Sequence, residues 1–102
     1  MIFVTTKDKE EADKISRLLL HERLIACANI LSPVDSFFYW DAKIASAEEC
    51  LVVMKSRSDL FAQIEEHVRC LHSYEVPEVL ALPLVEASKA YLDWMGMVLK
   101  PA

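Results

Sequence analysis

Two extended runs, Ala26 to Trp40 and Lys43 to Lys55, separated only by Asp41-Ala42, constrain this chain more than anything else in it. Both are rich in β-branched, aromatic and small apolar residues, among them Ile30, Val34, Phe37, Phe38, Tyr39, Trp40, Ile44, Val52 and Val53. At about 3.3 Å per residue the first run, if unbroken, reaches roughly 45–50 Å. A compact chain of this size has a radius of gyration near 13 Å and so a diameter of roughly 33 Å. The hairpin therefore outruns the body available to cover it. Unpaired strand edges are sticky, so a second copy of the same chain is the simplest cover.

Composition sets the outer bounds. The 102 residues suit one domain, 1–102, with a core that needs no disulfide or metal staple. Hydrophobic residues make up 54% and glycine occurs once, which excludes disorder and calls for buried area between subunits. A net charge of −5 argues against non-specific binding of nucleic acid, which depends on Lys and Arg neutralising phosphates. No apolar run approaches the roughly 18 residues of a membrane span. Met1-Ile2-Phe3-Val4 enters a strand directly, without the basic start of a signal peptide. The three cysteines, Cys27, Cys50 and Cys70, are odd in number and widely spaced, which fits a reducing cytoplasm.

Taken in order, Ile2 to Thr6 reads as a short strand. Asp8 then stands at a helix N-cap with Glu11 three residues on, a capping box. Ala12, Ile15, Leu18 and Leu19 mark one face of a helix running to about Arg23, with Leu20 and His21 off that face. Pro33 cannot donate to a ladder, so it predicts a bulge or edge position midway along the first long strand. Ser56 and Ser58 open a second helix, with Leu60, Phe61, Ile64, Val68 and Leu71 on its buried side, His67 at the margin and Cys70 opposite. Pro77 ends any helix before it. Val79 to Val85 reads as the fourth strand, and Ser88 caps a last helix whose Tyr91, Trp94, Met95 and Val98 face the sheet. The order is βαββαβ plus a terminal helix. It predicts an α+β fold of the split βαβ type: an antiparallel sheet with helices on one face and a long β2–β3 hairpin.

Four segments carry a family resemblance: Leu24-Ile25-Ala26-Cys27-Ala28-Asn29, Tyr39-Trp40-Asp41-Ala42-Lys43, Tyr74-Glu75-Val76-Pro77-Glu78 with Ala81-Leu82-Pro83, and Tyr91-Leu92-Asp93-Trp94. In this order they resemble the CutA divalent-cation tolerance proteins over nearly the whole chain. The resemblance implies a ferredoxin-like protomer, a tight homotrimer in which long strands pair across subunits, and a role in tolerance of copper and other divalent ions, with no settled catalytic activity; no enzymatic activity is expected. There are departures. Ala42 replaces a turn glycine, so a left-handed turn costs about 1 kcal/mol here unless Asp41 takes that conformation. Ala45-Ser46-Ala47 thins an acidic run, Ser73 replaces a proline, and Ala87 replaces a glycine.

Ligand chemistry selects few residues. Thiolate suits Cu(I) and imidazole suits Cu(II) or Zn(II), with three or four donors converging at about 2.0–2.3 Å. No Cys/His cluster is spaced for a closed site. By resemblance Cys27 and His72 are the candidate metal ligands, with His67 in reach of His72 along the chain; any divalent metal, copper included, is then held weakly. The bland alternatives are a small core cysteine and a loop histidine satisfied by a backbone carbonyl. Cys50 and Cys70 are incidental. A second candidate site, Trp40, Lys43, Tyr74 and Glu78 with Trp94 beside them, lines an intersubunit cleft if the hairpin tip folds over a neighbour. It then seats a small anion or organic ligand, as in a small-molecule-sensing module. The alternative is plain interface packing. No glycine-rich phosphate loop or nucleophile–base pair is apparent, and nothing selects a hydrolase built on Cys27 and His72.

Overall fold

The computed structural model describes residues 1–101. Strand β1 (Ile2–Thr6) leads into helix α1 (Lys9–His21), and the long strands β2 (Cys27–Trp40) and β3 (Lys43–Lys55) follow. A 3-10 turn (Ser58–Leu60), helix α2 (Phe61–Leu71), strand β4 (Val79–Ala81) and helix α3 (Lys89–Val98) complete the order. The sheet is antiparallel throughout in the order β2-β3-β1-β4, the ferredoxin-like arrangement.

Local chemistry explains most boundaries. Asp8 accepts the Glu11 N–H at 2.9 Å and Glu11 Oε1 accepts the Lys7 N–H at 3.2 Å, so a capping box starts α1. The helix stops at His21, short of the expected Arg23, because Arg23 adopts a left-handed φ of 59°. The Arg23 guanidinium then donates to the carbonyls of Val98 and Met97 at the end of α3. Ser88 caps α3 as expected, accepting from the Tyr91 N–H at 3.3 Å. Ser56 and Ser58 do not cap α2: the Ser56 hydroxyl donates to Leu24 O, and the helix enters through the 3-10 turn.

Strand β4 is three residues long, where the sequence suggested Val79 to Val85. Its only partner among the described residues is β1, and Leu82 already bonds Met1, so Pro83 to Val85 find no ladder to join. Helix α3 also differs. Met95 is buried and Val98 half-buried, but Tyr91 and Trp94 are 36% and 41% exposed. Gly96, in the interior of α3, costs that helix about 1 kcal/mol relative to alanine.

The core lies between one sheet face and the helices. Ile2, Val4, Val52 and Met54 meet Ala12, Ile15, Leu19, Ile64 and Val68, all 3% exposed or less. Paired positions Phe3, Val53 and Asn29, then Thr5, Leu51 and Leu31, lie on the opposite face, with Leu80 beside Phe3. That face is left open: Leu31 and Leu80 are about half exposed.

The hairpin carries the predicted irregularity at Pro33. Leu31 pairs with Leu51 and Val34 with Glu49, so Ser32 and Pro33 together face Cys50. Beyond the bulge the ribbon runs alone, and Phe37, Tyr39, Trp40 and Ile44 are 62–74% exposed. The longest dimension of the chain, 45 Å against 27 and 21 Å, reflects this projection. Asp41 and Ala42 both take positive φ, 51° and 58°, so the strain is carried by two residues and not by one alone. Such a turn favours Asp-Gly. Ala42→Gly is expected to stabilise the fold by about 1 kcal/mol, raising Tm by roughly 4–8 °C in a thermal melt at fixed protein concentration.

Candidate functional site

The residues nominated from sequence fall at three separate places. The first is the top of β1. His72, the residue that ends α2, has a side chain 0% exposed. Its Nε2–H donates to Thr5 O at 2.6 Å and its Nδ1 accepts the Tyr74 N–H at 3.0 Å, which places the ring proton on Nε2. Neither nitrogen is left to bind a metal in this conformation. Glu11 binds the adjoining loop through the Ser73 N–H at 2.9 Å. Partial burial opposes ionisation of Glu11, but the Ser73 and Lys7 donors prevail and hold its carboxyl below the usual value. Tyr74 stacks obliquely on the His72 ring and donates its hydroxyl to the buried Glu49 at 2.7 Å. Burial, together with that carboxylate, pushes the phenol well above its ordinary pKa.

The second place is the opposite end of the sheet. Cys27 starts β2 across from Lys55, and its Sγ lies 3.3 Å from the Tyr91 hydroxyl. This contact, followed by burial, raises the Tyr91 phenol. Lys55 donates to Asn29 beside it, and Trp94 packs against Tyr91 with ring centres 5.4 Å apart. Cys27 is half-buried and free, so a soft ion has access to one thiol there. Thr5, which holds His72, lies opposite Leu51, four positions from Lys55 along β3. That is about 13 Å along the strands, plus two strand spacings of about 4.8 Å each across the sheet. Cys27 and His72 of one chain do not share a ligand. His67 stands apart on α2: one ring nitrogen, Nδ1, donates to Gln63 O at 2.8 Å, leaving Nε2 as its acceptor. Among the described residues no group of three or more His, Cys, Asp or Glu side chains is arranged to hold a metal ion.

The third place is the hairpin tip. Trp40 pairs with Lys43 six positions beyond Val34, which lies opposite Glu49. The tip pair thus stands about 20 Å from the Glu49–Tyr74 contact. Glu78, exposed before β4, stays near the base. Within one chain Trp40 and Lys43 do not meet Tyr74 and Glu78, so a cleft containing all four requires a second copy. Sequence reasoning missed Glu49 and Glu11 as the partners of Tyr74 and the 72–74 turn. Glu49 directly follows the thinned acidic run and Glu48, and nothing in its sequence neighbours marks it as buried; it pairs with Val34, the first residue after the bulge at Pro33.

These features define a class: a ferredoxin-like α+β protein whose bulged hairpin projects beyond its own core, with a free thiol at the sheet end and a hydrogen-bonded histidine at the other. Residues 1–97 match the family described as CutA1 divalent ion tolerance protein, and the chain belongs to that family. It is 40% identical over 94 residues to a divalent-cation tolerance protein CutA of Archaeoglobus fulgidus, covering 92% of this chain and 91% of that protein. It is 37% identical over 95 residues to a chloroplastic CutA of Arabidopsis thaliana, covering 93% of this chain and 52% of the relative, so it spans about half of that longer protein. The solved CutA1 structure from Oryza sativa superposes with a TM-score of 0.96 at 33% identity, covering 99% of this chain and 93% of that one. That from Archaeoglobus fulgidus, described as a periplasmic divalent cation tolerance protein, gives 0.94 at 38%, covering 97% and 96%. The relation to divalent-cation tolerance is thus a family property. Among the described residues no helix is long and apolar enough to cross a membrane.

Proposed function

We propose that this chain works as a cytoplasmic homotrimer in divalent-cation tolerance, holding copper or a similar ion weakly and exchangeably and catalysing no reaction. The observation that carries the association is the projecting ribbon, with four large apolar side chains 62–74% exposed on both of its faces. A strand apolar on both faces is one that is covered on both. Support for labile binding is the donor set: one accessible thiol at Cys27, one imidazole nitrogen at His67, and a His72 ring already committed to two hydrogen bonds. A single soft donor favours Cu(I) and gives exchange, not a closed structural site. Three unpaired cysteines accord with a reducing compartment, although one solved relative is described as periplasmic. The small-molecule reading, with Trp40, Lys43, Tyr74 and Glu78 around a ligand, requires the tip of one copy to reach the base of another.

Titration with Cu(I) under reducing conditions tests the metal assignment. Cys27→Ser is expected to weaken binding at least tenfold, His67→Ala by a smaller factor, and His72→Ala not at all per folded molecule. Equal affinity in wild type and Cys27→Ser ends the assignment to Cys27.

A further inference from the structure

Helix α2 buries Ile64 and Val68 in the core and turns its other side outward. On that outer side Cys70 stands one turn beyond His67, roughly 60° around the helix at about 100° per residue. Side chains three residues apart on a helix have their Cβ atoms about 5–6 Å from each other. They also lean toward the helix N-terminus, so the Cys70 thiol covers the turn that carries His67. The imidazole is already oriented: Nδ1–H donates to Gln63 O at 2.8 Å, which leaves the Nε2 lone pair on the other edge of the ring. Cys70 is exposed and free, whereas an unpaired cysteine ordinarily ranks among the most buried residues. Core packing gives no reason for a thiol there. Arg69, next to it in the chain, is turned to Glu65 at 3.0 Å. Glu65 and Glu66 against that one guanidinium leave the surrounding turn net negative, which favours a cation.

We propose that His67 Nε2 and the Cys70 thiolate form a two-donor clamp for a borderline divalent ion such as Zn(II), with water in its remaining positions. Resting on the reading of His67 as a metal donor, the clamp supplies the thiol that joins it. Thiolate with imidazole is a mixed sulfur–nitrogen set that Zn(II) accepts, at about 2.3 Å to sulfur and 2.0–2.1 Å to nitrogen. A tetrahedral ion then holds the two donor atoms roughly 3.6 Å apart. Side chains rooted about 5–6 Å apart reach that separation by converging. Cys27 offers a different donor set, one thiol beside the Tyr91 hydroxyl and across from Lys55. Both clamp donors come from one helix, so each chain carries a complete site whatever its association. With only two protein donors, the ion exchanges readily and is no structural staple.

The test uses the full chain carrying Cys27→Ser, which removes the other accessible thiol; Cys50 is 2% exposed and bonded to Ser32. Co(II) serves as the probe for Zn(II), because a thiolate bound to it gives a charge-transfer band in the near ultraviolet. Titration under a non-thiol reductant is expected to develop that band at one Co(II) per chain, and Zn(II) is expected to displace it. Cys70→Ser is expected to abolish the band. His67→Gln, which keeps a good helix former at that position, is expected to retain the band at saturation but weaken affinity at least tenfold. Far-UV circular dichroism checks that both variants are folded. A parent without the band, or a band that survives Cys70→Ser, overturns the clamp. Equal affinity in the parent and His67→Gln leaves a thiol acting alone and overturns it as well. The Cu(I) titration at Cys27 is read separately, and its failure leaves the Co(II) result intact.

Discussion

Replacing His72 by alanine is expected to cost about 2–5 kcal/mol of stability while leaving metal affinity per folded molecule unchanged. The side chain has no solvent exposure, and its two nitrogens satisfy Thr5 O and the Tyr74 N–H. Removing the ring leaves a strand carbonyl and a loop amide without partners, at roughly 1–3 kcal/mol for each buried group, and opens a cavity beneath Tyr74. The loss spreads because the same turn is bound to α1 through Glu11 and to β3 through Tyr74 and Glu49. Chemical denaturation at fixed protein concentration measures it. His72→Gln is expected to recover part of the loss, since its amide can still donate to Thr5 O. A metal-ligand role predicts the reverse ranking: a large fall in affinity, little change in stability, and no rescue by glutamine. The two roles give opposite results in the same pair of variants.

The parts of this structure that were legible in the sequence are those fixed by neighbours along the chain. Asp8 with Glu11, Ser88, the proline bulge and the two-residue hairpin turn are local chemistry, and each stands where its residues indicate. Strand β4 was not legible because a strand lasts only as long as its partner, and the pairing of Leu82 with Met1 is a fact of tertiary register. The orientation of α3 was hidden for another reason. Its sequence is apolar nearly all round, so periodicity does not choose a face, and the side left exposed includes Tyr91, Leu92, Trp94 and Met97. The candidate site divides along the same line. Sequence left two readings of His72 side by side, a metal ligand by resemblance and a loop histidine bonded to a backbone carbonyl, and the geometry matches the second. The roughly 13 Å along the strands between its anchor and Cys27 follows from ladder register, which no spacing in the sequence reports.

The open face of the sheet gives the other large expected effect. Phe3 lies on the central strand β1 between Val53 and Leu80, on the face that neither α1 nor α2 covers, and is half-buried. In an isolated protomer Phe3→Asp leaves its carboxylate in contact with water, so the cost is that of a poor strand former, about 1 kcal/mol. If copies close over this face, the same carboxylate is buried against Val53, Leu51 and Leu80 without a cation to pair with it. A buried unpaired charge costs about 3–5 kcal/mol, which raises the dissociation constant roughly 10²–10⁴-fold. Phe3→Asp is therefore expected to sediment as a folded protomer at concentrations where the parent is associated, and Phe3→Leu to behave as the parent. The comparison separates a face that is covered from one that is merely apolar. Apolar surface alone does not penalise a solvated carboxylate; only desolvation by a second molecule does, and only that makes the penalty depend on protein concentration. A Phe3→Asp variant that associates as tightly as the parent shows that this face stays in water, and the copies then meet through the hairpin alone.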